Sequence, residues 1–359
     1  MNATLTTFFR SIFFPLAGVC LLVSSCAEQP DYGRNPYNVY SNFDALTSIV
    51  ADRYCFFKEK DIDWQELCTQ YRSQITDTTT LSELYFIMAD LLDNLQDGHV
   101  NLVSPFATSY YKKWWTDYPQ DFNLRTLEEY YLNFKGLQTS GMKYCIMLPD
   151  TIGYIYFPSF STEVGDGNLD YVLATLRNTK GLIIDIRDNG GGLLTNVPKF
   201  VSRFIDKKVT GGFIRHKTGP GENDFSKDFE FSYEPCGESH VSYLDHPIAV
   251  LTNRSCYSAA NDFVAVMKTL PQVEIIGART GGGGGLPFSS ELPNGWSIRF
   301  SACPIYDPSK KITEFGIDPS PGCEVHCDPV ELAEGKDAIL DFALERLASK
   351  SSKETDPAE

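Results

Sequence analysis

Gly181-Leu182-Ile183-Ile184-Asp185-Ile186-Arg187-Asp188-Asn189-Gly190-Gly191-Gly192 is a short apolar run that breaks into charge and then into glycine. A continuous run of this length, bounded by turn residues, reads as a strand buried on both faces. An amphipathic helix is expected after it, through about Phe204. Ile248–Thr252 repeats the pattern, followed by a turn, a helix from about Ser258 to Leu270, and a strand Val273–Ile276. Strand–helix–strand order of this kind predicts an α/β core with parallel pairing.

Working outward, Tyr144–Leu148 and Ile152–Phe157 flank Pro149-Asp150 and predict a hairpin. Leu169–Asn178 and Lys336–Ala348 read as helices, and Trp296–Phe300 and Ala302–Tyr306 as strand. The stretch 207–245 reads as a polar excursion. From Val39 to about Leu95 apolar residues recur at helical spacing: Phe43, Leu46, Ile49, Val50, then Leu81, Leu84, Ile87, Leu91. Asp63 and Thr80 are expected caps of the second and third helices. The last helix is expected to close at Gly98, within Asp97-Gly98-His99. Residues 104–142 hold a dense set of aromatics and read as a lid, with helices near 107–116 and 125–134.

Of 359 residues, 42% are hydrophobic and 22% charged, which excludes wholesale disorder and a coiled coil. The formal charge of −16 repels phosphate backbones, so nucleic acid is not an expected partner. At the N-terminus Arg10 precedes the apolar run Ile12–Val23, the length of a signal-peptide core. Val23-Ser24-Ser25-Cys26 looks like a bacterial lipobox, with Cys26 as the lipidated first residue of the mature chain. The expected organisation is a signal peptide over 1–25, a tether over 26–40, a helical subdomain over 41–103, the lid over 104–142 and the core over 143–350. Ten cysteines are present. Cys323, His326 and Cys327 do not complete a tetrahedral zinc shell, so disulfides or free thiols are expected there.

Two strand–turn–helix junctions carry candidate chemistry. At Asp185–Gly192, glycines opening a helix let backbone N–H groups approach an anion, although a plain tight turn is as common a reading. Asp185 and Arg187 read as an ion pair framing the turn, and Asn189 as its side-chain brace. At Thr252–Phe263, Ser258 falls where a strand ends and a helix begins. It reads either as a helix cap, with Ser255 as rival, or as a nucleophile beside small residues. The glycine run 281–285 is followed by Leu286-Pro287 rather than by Lys-Ser or Lys-Thr, so it reads as a flexible loop bordering a cleft, not as a nucleotide loop.

Together these segments resemble the S41 serine peptidases, the C-terminal-processing and tricorn-like family. The resemblance rests on Asp185-x-Arg187-x-Asn189-x-Gly191-Gly192, Tyr257-Ser258-Ala259-Ala260, Gly277-Ala278-Arg279-Thr280-Gly281-Gly282 and Phe315-Gly316-Ile317-Asp318-Pro319, in that order, with Asp97-Gly98-His99 upstream. It implies a ClpP/crotonase-like α/β core with an N-terminal helical subdomain. Ser258 would be the nucleophile, and the N–H groups of Gly191 and Ala259 the oxyanion hole. The processing branch uses a lysine after the serine, but the matching region is Thr280–Gly285, and Lys268 comes too early. The tricorn-like branch uses a histidine, which His99 matches. Its supporting glutamate usually sits three residues before the glycine, where Thr313 stands here. Glu314, Thr313 or neither fills that place. No PDZ module is evident.

The resemblance implies a serine endopeptidase acting on peptides or unfolded protein without a cofactor or metal, and the lipobox makes the expected protein exported and lipid-anchored at the bacterial envelope, at the outer membrane or cell surface. The alternatives are a weak or inactive relative that binds peptides or glycans, and an esterase or amidase.

Overall fold

The computed structural model describes residues 35–147, 151–244 and 246–353. The expected signal peptide, Cys26 and most of the tether lie outside them.

The chain begins with α1 (Val39–Arg53), α2 (Trp64–Arg72) and α3 (Leu81–Asp93). Asp63 accepts the Glu66 N–H at the start of α2, and Thr80 and Glu83 form a reciprocal capping box on α3. α3 does not close at Gly98. The left-handed residue after it is Gln96, at φ 47°. Gly98 is needed for a different reason: a Cβ there would lie 2.5 Å from Trp114 Nε1 and 2.9 Å from the Tyr257 hydroxyl.

β1 (Asn101–Val103) leads into the aromatic stretch, which contains only short helical turns, α4 (Lys113–Thr116) and α5 (Leu124–Thr126), then a wider turn over Leu127–Tyr131. Residues 107–112 are not helical. Phe122 is buried here, while Tyr110, Tyr130 and Phe134 are exposed.

The rest of the chain runs β2 (Leu137–Thr139), β3 (Met142–Met147), β4 (Ile152–Tyr156), α6 (Asp166–Leu176), β5 (Gly181–Asp185) and α7 (Asn196–Val201). β6 (Val209–Ile214), β7 (Phe229–Tyr233), β8 (Ile248–Thr252), α8 (Ala259–Met267) and β9 (Val273–Gly277) follow. It closes with β10 (Gly285–Glu291), β11 (Ser297–Tyr306), α9 (Pro329–Ala333) and α10 (Ala338–Lys353). One six-stranded sheet has the order β2-β3-β4-β5-β8-β9. β2, β3 and β4 pair antiparallel, and β4, β5, β8 and β9 pair parallel.

The unbroken apolar character of β5 now has its cause. Leu182 and Ile184 join one buried cluster with residues of α6, α7 and α8, while Ile183 joins another with Ile339, Leu340 and Ala343 of α10. A strand covered on both faces has no reason to alternate.

The second sheet runs β1-β11-β6-β7, with β10 on β11. Trp296, Ile298 and Phe300 pack with Phe43, Leu46, Leu84 and Leu91, so the N-terminal helices share their core with this sheet. Two expectations fail here. The 207–245 stretch holds the β6–β7 hairpin, whose alternating Phe229, Phe231 and Tyr233 are only half covered. The glycine run is buried rather than a flexible loop, because backbones crowd it: a Cβ on Gly282 would fall 1.8 Å from the Glu314 carbonyl.

Arg187 ties the end of β5 to the rest. It is fully buried, with Asp185 at 2.6 Å and Asp337, just before α10, at 2.8 Å. Phe122 lies under its guanidinium. Arg187→Ala would strand two buried carboxylates and is expected to cost about 3–5 kcal/mol, read as a lowered urea midpoint. An unchanged midpoint would overturn this role.

Candidate active site

The turn after β5 is held by its own side chains. Arg187 chelates Asp185, which also accepts the Tyr154 hydroxyl at 2.8 Å. Asn189 is the brace the sequence implied. Its Nδ2 donates to the Phe157 carbonyl at 2.8 Å, and its Oδ1 accepts from Phe160 N–H at 3.2 Å and Gly191 N–H at 3.0 Å.

The turn after β8 is strapped to the first one. Tyr257 N–H donates to the Asn189 carbonyl at 3.0 Å, and Asn253 exchanges two hydrogen bonds with Asp188. Gly191 is pressed against the serine, since a Cβ there would lie 2.8 Å from Ser258 Cβ and 2.9 Å from Ala259 N. Ser258 itself sits at φ 56°, ψ −122°, a conformation that costs a side-chain-bearing residue about 1–3 kcal/mol and persists only when its surroundings force it. They do: Ser258 N–H donates to the Gly282 carbonyl at 2.9 Å, and its own carbonyl accepts from Asp262 at 3.0 Å.

Ser258 occupies the cap position of α8, yet its hydroxyl makes no capping bond. It meets His99 Nε2 at 3.0 Å, although the two residues are 159 apart in sequence. The His99 ring is buried, 4.9 Å from the Tyr257 ring centroid. Burial pushes its pKa from 6.5 down to about 4, with Asp97 opposing and Arg299 and Lys60 reinforcing the shift. The imidazole is therefore neutral at pH 7 and can accept a proton.

On the other side of the ring, Nδ1 faces the Ser301 hydroxyl at 3.4 Å. Nothing in the sequence marked Ser301; it arrives on β11. Asp97 Oδ1 accepts the His99 backbone N–H at 2.8 Å, and Oδ2 has no partner among the described residues. Burial alone would raise the Asp97 carboxyl, but Lys60 and His99 hold it below the usual range. Glu314 is not placed beside the imidazole nitrogens by any of these bonds. Its Oε1 pairs with Lys60 at 2.7 Å, and burial pushes it up to about 8, reinforced by Asp97 and opposed by Lys60. Thr313 donates its hydroxyl to the Ile305 carbonyl at 3.0 Å.

The two expected oxyanion donors differ. Ala259 N–H opens α8 and makes no hydrogen bond among the described residues, whereas Gly191 N–H is engaged by Asn189. Cys323 and Cys327 are buried free thiols, and His326 meets Asp121 at 2.8 Å. No group of three or more metal-binding side chains occurs among the described residues.

The model of peptidase family S41 matches residues 151–320, and that of the tricorn protease C1 domain matches residues 37–93. The "Probable CtpA-like serine protease" of Staphylococcus aureus (strain N315) is 26% identical over 151 residues, 42% of this chain but only 28% of the relative's length. The crystal structure of mature CPAF shares the fold, with a TM-score of 0.67 at 12% identity over 90% of this chain and 99% of that one. A peptidase candidate from Parabacteroides merdae ATCC 43184 superposes with a TM-score of 0.81 at 43% identity, covering 88% of this chain and 97% of that one. At that identity and coverage, and with both family models matching in order, the chain belongs to peptidase family S41.

Proposed function

We propose that the chain is a serine endopeptidase that cleaves peptide bonds through an acyl-enzyme on Ser258, with His99 as general base. The observation that carries this reading is the 3.0 Å contact between Ser258 Oγ and a buried, neutral His99 Nε2. The hydroxyl attacks the scissile carbonyl and its proton passes to Nε2. The imidazolium then protonates the leaving amine, and water repeats the sequence to release the acid. Ala259 N–H, at the positive end of α8, faces the developing oxyanion. Gly191 would be the second donor only by releasing Asn189.

Ser301 is the orienting group in this scheme. For Nε2 to accept, Nδ1 must carry the hydrogen, and the Ser301 oxygen receives it. A hydroxyl stabilises an imidazolium less than a carboxylate does. That observation, with the engaged Gly191 N–H, favours the second reading, a slow or inactive relative that binds peptides. A lipid on Cys26 would hold the domain at the bacterial envelope, at the outer membrane or cell surface, within reach of peptides and unfolded protein.

Cleavage of a diverse peptide mixture, read by mass spectrometry, separates the readings. Ser258→Ala and His99→Ala are each expected to lower the rate at least about 10³-fold, and Ser301→Ala about tenfold or more. Wild type indistinguishable from Ser258→Ala would leave the binding reading.

The acid limb of kcat/KM is expected well below pH 6.5, near 4, because His99 stays unprotonated. The same shift makes a stability prediction. Between 6.5 and about 4 the unfolded chain binds a proton that the folded chain refuses, so stability falls as pH drops through that window. His99→Gln should remove this part of the acid sensitivity; a kinetic limb at 6.5 in wild type would contradict the burial argument.

Cys26→Ser is expected to abolish incorporation of labelled fatty acid and release the chain from the membrane fraction. Unchanged labelling would remove the anchor from the proposal.

A further inference from the structure

Six acidic side chains are buried among the described residues: Asp97, Asp121, Asp185, Asp262, Glu314 and Asp337. Five of them have a cation or an imidazole beside them. Lys60 serves Asp97 and Glu314, Arg187 serves Asp185 and Asp337, and His326 lies 2.8 Å from Asp121. Asp262 has neither. It is 8% exposed, and its Oδ1 finds no hydrogen-bond partner among the described residues.

Asp262 lies in the first turn of α8, the helix that opens on Ala259, and its own N–H donates to the Ser258 carbonyl at 3.0 Å. The Cα–Cβ bonds of a helix tilt toward its N-terminus, so this carboxyl lies over the turn that presents Ala259 N–H.

The surrounding elements offer it no counter-charge. α7 packs on α8 through Val197, Phe200 and Val201, and its one titratable side chain, Lys199, donates to the Val164 carbonyl at 2.9 Å. β6 carries no titratable side chain. β7 brings Glu230, which accepts the Thr210 hydroxyl at 3.0 Å, and Tyr233, whose hydroxyl is pushed up by burial and then by Asp262. In the turn after β5, Asp188 is bound by Asn253 at 2.7 Å. Lys268, at the far end of α8, donates to the Asp318 carbonyl at 2.8 Å.

A carboxyl taken out of water with no cation and no donor keeps its proton. Burial pushes Asp262 up to about 7. Its anion would oppose the negative charge that develops on the substrate oxygen, which Ala259 N–H and the positive end of α8 receive. We propose that Asp262 is a positioning residue for the oxyanion: the site works while this acid is protonated and loses part of its hold on the oxyanion when the acid ionises. The proposal rests on the Ser258–His99 reading. It gives the reaction an alkaline limb that acts through the helix and leaves the imidazole untouched.

The experiment labels the full-length chain with a fluorophosphonate and follows the second-order rate from about pH 5 to 9. In that step Ser258 Oγ bonds phosphorus, fluoride leaves, and the hydroxyl proton passes to His99. The wild-type rate is expected to fall about tenfold as pH rises through about 7 and then level off, because a charge one or two helical turns away weakens the oxyanion without removing a reacting group. Asp262→Asn should remove the fall. Asp262→Leu, neutral and of similar volume, should do the same where the asparagine variant does not fold. The urea midpoint is a readout independent of the serine. From 3.8 to about 7 the folded chain keeps a proton that the unfolded chain releases, so stability falls as pH rises through that window, and Asp262→Asn should reduce this fall.

A flat wild-type rate would overturn the proposal, as would a limb that survives Asp262→Asn. A limb lost in Glu314→Gln instead would transfer the role to Glu314, whose own burial pushes it up to about 8. A urea series that Asp262→Asn leaves unchanged would show the acid already ionised in the fold, and would also overturn it. Wild type labelled no faster than Ser258→Ala would bring down the Ser258–His99 reading and this proposal with it, whereas a labelled but flat wild type brings down the proposal alone.

Discussion

A guanidinium sealed from water is the constraint on which the site depends. Arg187 has no exposed surface, and its two carboxylate partners come from distant places, Asp185 ending β5 and Asp337 opening α10. The bridge therefore fixes where the final helix meets the parallel sheet. A buried ion pair of this kind is not in itself a source of large net stability, since desolvation offsets most of the attraction. What it supplies is a single acceptable geometry. With Arg187 set, the next residues are held by Asn189, and Gly191 is pressed against Ser258. The order of the nucleophile turn is thus traceable to a charge two residues past the end of a strand.

The serine turn stores strain against that frame. Ser258 adopts a backbone conformation that side-chain-bearing residues avoid, and hydrogen bonds donated to the Gly282 and Asn189 carbonyls by Ser258 and Tyr257, with one from the Asp262 N–H to the Ser258 carbonyl, keep it there. Gly191, Gly281, Gly282 and Gly283 around it are empty volume in the literal sense: each leaves room for a backbone carbonyl or an aromatic ring that a methyl would strike. Burial of this region also sets the protonation of His99, so packing and chemistry share one cause. The same burial explains the Lys60, Asp97 and Glu314 group, where one cation lies between two carboxylates. Lys60 retains its proton against burial because both acids favour it.

The architecture was legible in the chain because local pattern and burial agree there. The apolar runs at 181–186 and 248–252, the amphipathic helices and the caps Asp63 and Thr80 each report their own environment. The stretches read poorly are those whose conformation comes from distant partners. The β6–β7 hairpin is half covered, so its pattern is diluted by polar residues. The 281–285 glycines look mobile in sequence and are immobilised by the backbone of 313–316. The aromatics of 104–142 suggest helices, but their partners are Tyr257, Arg254 and Arg187.

The sequence alone determined the class of fold and the order of its motifs, because hydrophobic period and turn chemistry are local properties; which serine and histidine to watch came from the resemblance that those motifs carry together. Tertiary structure alone decided that Ser258 and His99 touch across 159 residues. It also decided that Ser301 rather than Glu314 faces the second imidazole nitrogen, that Gly191 N–H is already engaged, and that Arg254 pairs with no carboxylate among the described residues. These are statements about distance and about the loss of water, and neither is encoded at any single position. They arise only when the two sheets bring the end of β8, the middle of β11 and the loop after α3 to one place.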